Sequence, residues 1–220
     1  MFALALLCAS CFNKKEIVIP PKPLLTPASL AKESPDPERL VNPTSILLHG
    51  ATIMTANGNV FSPGFIHFSN GTIEAVGAGV PENIPQGTAV LNISGKFVTP
   101  GLIDTHSHMG VYAIPHVSAH SDGNEATHPV TSEVWAEHSF WPQDPAIFRA
   151  LGGGITTIQV LPGSANLIGG RSYIAHLQPK VSAREMRFPG APQGLKMACG
   201  ENPKRVYRGK GRAPSTRMGN

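Results

Sequence analysis

Charge is scarce in this 220-residue chain: Asp, Glu, Lys and Arg make up 15% of it. That falls well short of the quarter usual in globular proteins and argues against long solvated helices and coiled coils. Three cysteines are too few to staple a domain of this size, so a disulfide scaffold is excluded. No apolar run approaches the roughly 20 residues that a membrane-spanning helix needs. What the chain has instead is glycine and proline, 23 and 21 of them. Together they predict many turns, and hence short strands and tight loops, without reaching the level of low-complexity sequence. Hydrophobic residues, at 41%, suffice for a buried core, and the length suits one or two domains.

The net charge of +4 is unevenly spread. Residues 180–220 carry ten basic and two acidic side chains, whereas residues 1–179 carry eight basic and twelve acidic. A basic end of this kind can face nucleic acid or another acidic surface, or it can be a solvated Gly-rich segment. No aromatic interleaving or recognition-helix pattern accompanies the charges, which favours the second reading and predicts no nucleic-acid partner.

The chain opens with the apolar stretch Met1–Leu7, followed by Cys8-Ala9-Ser10-Cys11 and then Lys14 and Lys15. Residues 1–18 resemble a bacterial export signal with a lipoprotein cleavage box, in which Cys11 would be acylated. The resemblance implies an exported protein, periplasmic or held at a membrane surface; without such a signal the location would be cytoplasmic. Residues 19–44 hold seven prolines, which fix φ and remove backbone donors. They read as an extended spacer.

From Ser45 the texture changes. Ser45–Met54 is apolar and β-branched, Val60–Phe68 is strand-like, and Asn70-Gly71 offers the positive φ angles of a two-residue hairpin. Thr72–Gly77 alternates as a half-buried strand does, and Gly87–Ile93 and Lys96–Val98 supply two more short strands. Residues 45–99 therefore predict a small β-sandwich or roll. His49 and His67 read as ordinary strand residues.

The chemistry lies in Phe97-Val-Thr-Pro-Gly-Leu-Ile-Asp104-Thr-His106-Ser-His108-Met-Gly110. Side chains alternate along a strand, so Asp104, His106 and His108 should project to one side. Two imidazoles placed this way can share one metal ion through their ring nitrogens. Asp104 can accept a ring N–H and orient an imidazole from behind. His-x-His alone is a weak signal, but here Pro-Gly-Leu-Ile-Asp precedes it, directly after a small β domain. That combination resembles the amidohydrolase superfamily of metal-dependent hydrolases, in particular its imidazolonepropionase-like members.

The resemblance implies an α/β fold. Residues 45–99 would be a composite β-sandwich domain, and residues 100–220 the first half of a (β/α)8 TIM-type barrel. It implies His106 and His108 as ligands of a divalent metal, most often zinc, in a site of one or two ions. It also implies hydrolysis of a C–N bond, cyclic amide or peptide-like, in a small-molecule or dipeptide-like substrate.

Further residues extend the likeness. Asp144-Pro145 fits a helix N-cap with proline at the first helical position, closed by Gly152-Gly-Gly154. Ile155–Leu161 reads as a buried strand parallel to the first, and Asn166–Gly170 as the loop above it. Some family members bridge two metals with a carboxylated lysine on a later strand. Lys196, within Gly194-Leu-Lys-Met-Ala-Cys199, is the candidate for that position, with His176 a weaker alternative and an ordinary strand lysine the competing reading. Cys199 reads as a small core residue. The 33-residue connection Val111–Gln143, with His116, His120, His128 and His138, is either a roof over a pocket or a surface excursion. The family's later histidines and its general-base aspartate have no match here. The expectation is therefore an amino-terminal piece of such an enzyme, itself inactive. The alternatives are a non-catalytic remnant or, less favoured, a basic binding module.

Overall fold

The computed structural model describes residues 43–220. The export-like segment with Cys11, and all but the end of the proline-rich spacer, lie outside the described residues. Within the described part the chain divides into two compact units at Pro100/Gly101. Among the described residues no helix is long and apolar enough to cross a membrane.

The first unit is a five-stranded sheet. Its strands are β1 (Ser45–Met54), β2 (Val60–Ser69), β3 (Thr72–Ala78), β4 (Ala89–Asn92) and β5 (Phe97–Val98). They lie in the order β3-β2-β1-β4, with β5 also paired to β1. The neighbours β1/β2 and β2/β3 are antiparallel, whereas β4 and β5 run parallel to β1. The β2–β3 turn is made by Asn70 and Gly71 at φ 51° and 77°. These are the left-handed values that a two-residue hairpin requires and that Asn and Gly tolerate best. Leu47 and Leu48 are neighbours on β1 and so point to opposite faces, yet both are buried. The central strand is covered on both sides, which is why its sequence is a nearly continuous apolar run. Leu47 and Ile84 pack with Phe65, Val80 and Val90. Ala51, Ile53, Ile66 and Val98 pack with Phe61, Phe68 and Ile93. β3 lies at the sheet edge, where Ala75 and Gly77 are half-buried between exposed neighbours, as its alternation predicts, while Ile73 remains exposed.

The second unit is mixed α/β. Strand β6 (Leu102–Ser107) is followed by a long connection containing 3-10 turns at Ser118–His120 and Ala136–Ser139. Helix α1 (Pro145–Gly152) and strand β7 (Ile155–Val160) come next. β7 pairs in parallel with β6, with Asp104 opposite Ile158. The remaining strands are β8 (Ile168–Arg171), β9 (Tyr173–His176) and β10 (Leu195–Met197), with the short helix α2 (Ala183–Met186) between the last two. β9 lies antiparallel on the other side of β7, and β8 and β10 form a separate antiparallel pair. Helix α3 (Glu201–Gly209) follows. Thus one strand–helix–parallel strand step is present, and the next partner of β7 is antiparallel.

α1 starts where its cap dictates. The Asp144 side chain accepts from the backbone N–H of Ala146 at 2.9 Å, and Pro145 fills the first helical position. The same carboxylate accepts from the N–H groups of Gly110 at 2.9 Å and Ile114 at 3.2 Å, so it also pins the start of the long connection. The core joins Ile147 of α1, Ile158 and Val160 of β7, Tyr173 and Ala175 of β9, Leu177, and Met186 of α2. Val111, Ala136 and Phe140 belong to this same core. The connection is therefore more than a surface excursion: Val111, Ala136 and Phe140 help hold the unit together, although residues 114–119 are exposed.

Two further expectations are corrected. Asn166–Gly170 is not simply a loop, because from Ile168 it forms strand β8, paired with Lys196 and its neighbours. Asn166 itself is buried. Cys199 is exposed rather than in the core, because it lies beyond the end of β10, just ahead of the Gly200 bend that starts α3.

Candidate metal centre

The C-terminal end of β6 carries the histidines, and β7 holds that end in place. Leu161 N–H donates to the carbonyl of Ser107 at 2.9 Å. In return the carbonyl of Leu161 lies 2.8 Å from Nδ1 of His108. A carbonyl can only accept, so Nδ1 carries the proton and donates, which leaves the lone pair on Nε2. The rings of His106 and His108 lie on the same side of the strand, with centroids 5.3 Å apart and planes at 85°. The edge of the pair is closed by Tyr112, whose ring stands at 89° to that of His108 with centroids 5.8 Å apart.

Lys196 arrives from β10. Its Nζ is 3.4 Å from Nε2 of His106, and the residue is buried at 7% exposure. Burial away from water disfavours the ammonium form and pushes its pKa below the ordinary lysine value. The structure therefore brings together His106, His108 and Lys196, which are 90 residues apart in sequence at the extreme. Asp104 behaves differently from expectation. Its Oδ1 accepts from the backbone N–H of His106 at 3.0 Å, so it fixes the main chain at the first imidazole rather than a ring. The ring-orienting acceptor that sequence reasoning missed is a backbone carbonyl, that of Leu161. No side-chain pattern signals it.

The other histidines are placed elsewhere. His120 packs against Trp141 and its Nδ1 lies 2.8 Å from the carbonyl of Pro115. His128 bonds within its own turn, at Val130. His138 lies beside Trp135. His176 stacks on Phe188 with centroids 4.2 Å apart, and its buried Nδ1 has no partner among the described residues. Burial lowers its pKa. Among the described residues no group of three or more His, Cys, Asp or Glu side chains is arranged to hold a metal ion. The candidate centre consists of two imidazoles and one amine.

A mixed α/β chain with paired imidazoles at a strand end and a buried lysine beside them is the class of protein in hand, and comparison with known proteins narrows it. Amidohydrolase tasK of Hapsidospora irregularis is 37% identical over 145 residues, covering 62% of this chain and 15% of that protein. Dihydroorotase of Geobacter metallireducens is 24% identical over 139 residues, covering 63% of this chain and 27% of that one. The solved amidohydrolase of Thermotoga maritima MSB8 superposes with a TM-score of 0.69 at 43% identity, over 79% of this chain and 44% of that chain. No family model matches the chain. The chain spans less than half the length of each of these relatives. It belongs to the amidohydrolase superfamily.

Proposed function

We propose that this chain carries the first metal-holding strand of a metal-dependent amidohydrolase that cleaves a C–N bond in a cyclic amide or peptide-like small molecule. The observation that carries the reading is the strand-end pair His106 and His108, with Nδ1 of His108 engaged by Leu161. The donor set fits a divalent cation. Both imidazoles can present a neutral Nε2 lone pair, the form that zinc binds. Lys196 is the third member, as an amine whose burial favours the neutral form able to take up carbon dioxide as a carbamate. The names of the relatives, amidohydrolase and dihydroorotase, support the bond type. The parallel β6–α1–β7 step supports placing these elements as the first two strands of a (β/α)8 barrel. Residues 45–99 would then be the accompanying composite β domain. Acylation at Cys11 would hold the protein, once exported, at a membrane surface.

A divalent ion at this site would supply a hydroxide-like nucleophile near neutral pH and polarise the scissile carbonyl. The chain's own residues supply the setting. Leu161 keeps the proton of His108 on Nδ1. Asp104 holds the main chain at His106. Nζ of Lys196 lies 3.4 Å from Nε2 of His106, the atom a cation would engage.

The test is zinc content. The 220-residue chain, purified and dialysed against trace zinc, should hold zinc, and the double variant His106→Ala/His108→Ala should lose it. Equal zinc in both would overturn the reading. A screen of cyclic amides and dipeptides on the zinc-loaded chain then separates a catalyst from a metal-binding remnant without turnover.

A further inference from the structure

The mechanism leaves Tyr112 unused, yet the structure is built around it. Its hydroxyl donates to Oδ1 of Asn124 at 2.7 Å. Nδ2 of Asn124 donates to Oδ1 of Asn166 at 3.2 Å. Asn166 is 1% exposed, and its Nδ2 faces the carbonyls of Glu125 at 2.7 Å and His128 at 2.8 Å and the hydroxyl of Thr131 at 3.1 Å. Two carbonyls can only accept, so the amide orientation of Asn166 is fixed, and with it the direction of every bond back to Tyr112. Tyr207, fully buried on α3, donates to the same His128 carbonyl at 2.6 Å. Two glycines make room for this line. A Cβ on Gly123 would meet the Tyr112 ring at 2.2 Å, and one on Gly163 would meet Oδ1 of Asn124 at 2.2 Å and the Tyr112 hydroxyl at 2.6 Å. No larger residue fits at either position without displacing the line.

We infer that Tyr112 is a positioning residue for His108, held by a hydrogen-bonded brace through Asn124 and Asn166. The ring of Tyr112 abuts the imidazole edge-on, and the brace fixes that ring to the loop after β7, the loop that begins with the Leu161 carbonyl bonded to His108. Ring contact and carbonyl together leave His108 one orientation and one tautomer. Substituted imidazole supports of this kind alter metal affinity by roughly ten- to a hundred-fold. The inference rests on the metal reading for its purpose but not for its test.

The experiment uses the metal-free full chain with 15N-labelled histidine. In the parent protein His108 should show a single Nδ1–H tautomer. Tyr112→Leu, which removes the ring, should give a mixed-tautomer or broadened His108 signal. Tyr112→Phe, which keeps the ring and breaks the brace, should show a smaller change in the same direction, and Asn124→Ala should match it. Zinc affinity measured by chelator competition should fall in the same order, by about ten-fold for Tyr112→Leu. Folding of each variant is checked by tryptophan fluorescence. A His108 signal unchanged in folded Tyr112→Leu overturns the brace. If Tyr112→Leu does not fold, an unchanged signal in folded Tyr112→Phe and Asn124→Ala does the same. Failure of the parent chain to bind zinc overturns the metal reading and leaves the tautomer result standing.

Discussion

The two units solve the same problem by different means. In residues 43–100 the backbone satisfies itself: five strands exchange main-chain hydrogen bonds, and apolar residues cover both faces of β1. In residues 101–220 much of the chain is neither strand nor helix, and the backbone groups of its long connections must find partners elsewhere. Buried polar side chains provide them. Asp144, with no exposed surface, takes three N–H groups from two segments, and Asn166 takes the carbonyls of a third. A sheet can thus be stabilised by many small, replaceable terms, whereas connections this long depend on a few side chains that each hold several backbone groups.

This contrast is sharpest at Asp144. Asp144→Ala would leave the amides of Gly110, Ile114 and Ala146 without their acceptor and remove the cap of α1. Each orphaned buried group costs on the order of 1–3 kcal/mol, and partial rescue by water brings the expected total to about 4 kcal/mol. Both tryptophans, Trp135 and Trp141, lie in this unit, so urea unfolding followed by tryptophan fluorescence reads it selectively. Leu47→Ala is the matching change in the sheet unit, at a side chain with no exposure. It removes packing but orphans nothing, and should cost about 3 kcal/mol by the usual range for such truncations. That loss would appear in far-UV circular dichroism with the tryptophan transition unmoved. If Asp144→Ala costs less than Leu47→Ala, the distinction between the two units fails.

The sheet unit could be read in advance for the same reason that it is robust. Strand periodicity and turn chemistry are local, so β1, β2 and β3 and the Asn70-Gly71 hairpin are written in consecutive residues. The Asp144-Pro145 cap and the parallel partner β7 were also local signals. At the centre, alternation along β6 placed His106 and His108 on one side, and their rings are 5.3 Å apart. What could not be read was the long-range polar pairing. Asp104 bonds the backbone amide only two residues on, a local alternative to a ring, but nothing near Leu161 announces that its carbonyl orients His108. Asn166 looks like a loop residue because Asn is common in loops. Its burial depends on carbonyls about 40 residues away. β8 was hidden by its two glycines, which read as loop until their partner β10 is in place.

The smallest expected effect is one of pH, and it falls more heavily on the sheet unit. His49 is 7% exposed, with Nε2 unpartnered among the described residues, and burial lowers its pKa. His67 is lowered by burial as well, against a smaller upward pull from Glu74. When the folded pKa lies below the unfolded one, the unfolded chain binds the proton more tightly. The stabilising contribution is then complete above the ordinary histidine value of about 6.5 and is lost as pH falls through the folded value. The other unit has one comparable histidine, His176. Hydrogen exchange at pH 7 and pH 5, corrected for the intrinsic rate, should therefore show β1 amides losing more protection than β7 amides, by less than either substitution above. His49→Leu should remove most of the difference, because an apolar side chain in that position has no proton to gain. Equal losses in β1 and β7, or a difference that survives in His49→Leu, would mean that buried histidines do not set the acid sensitivity of the sheet.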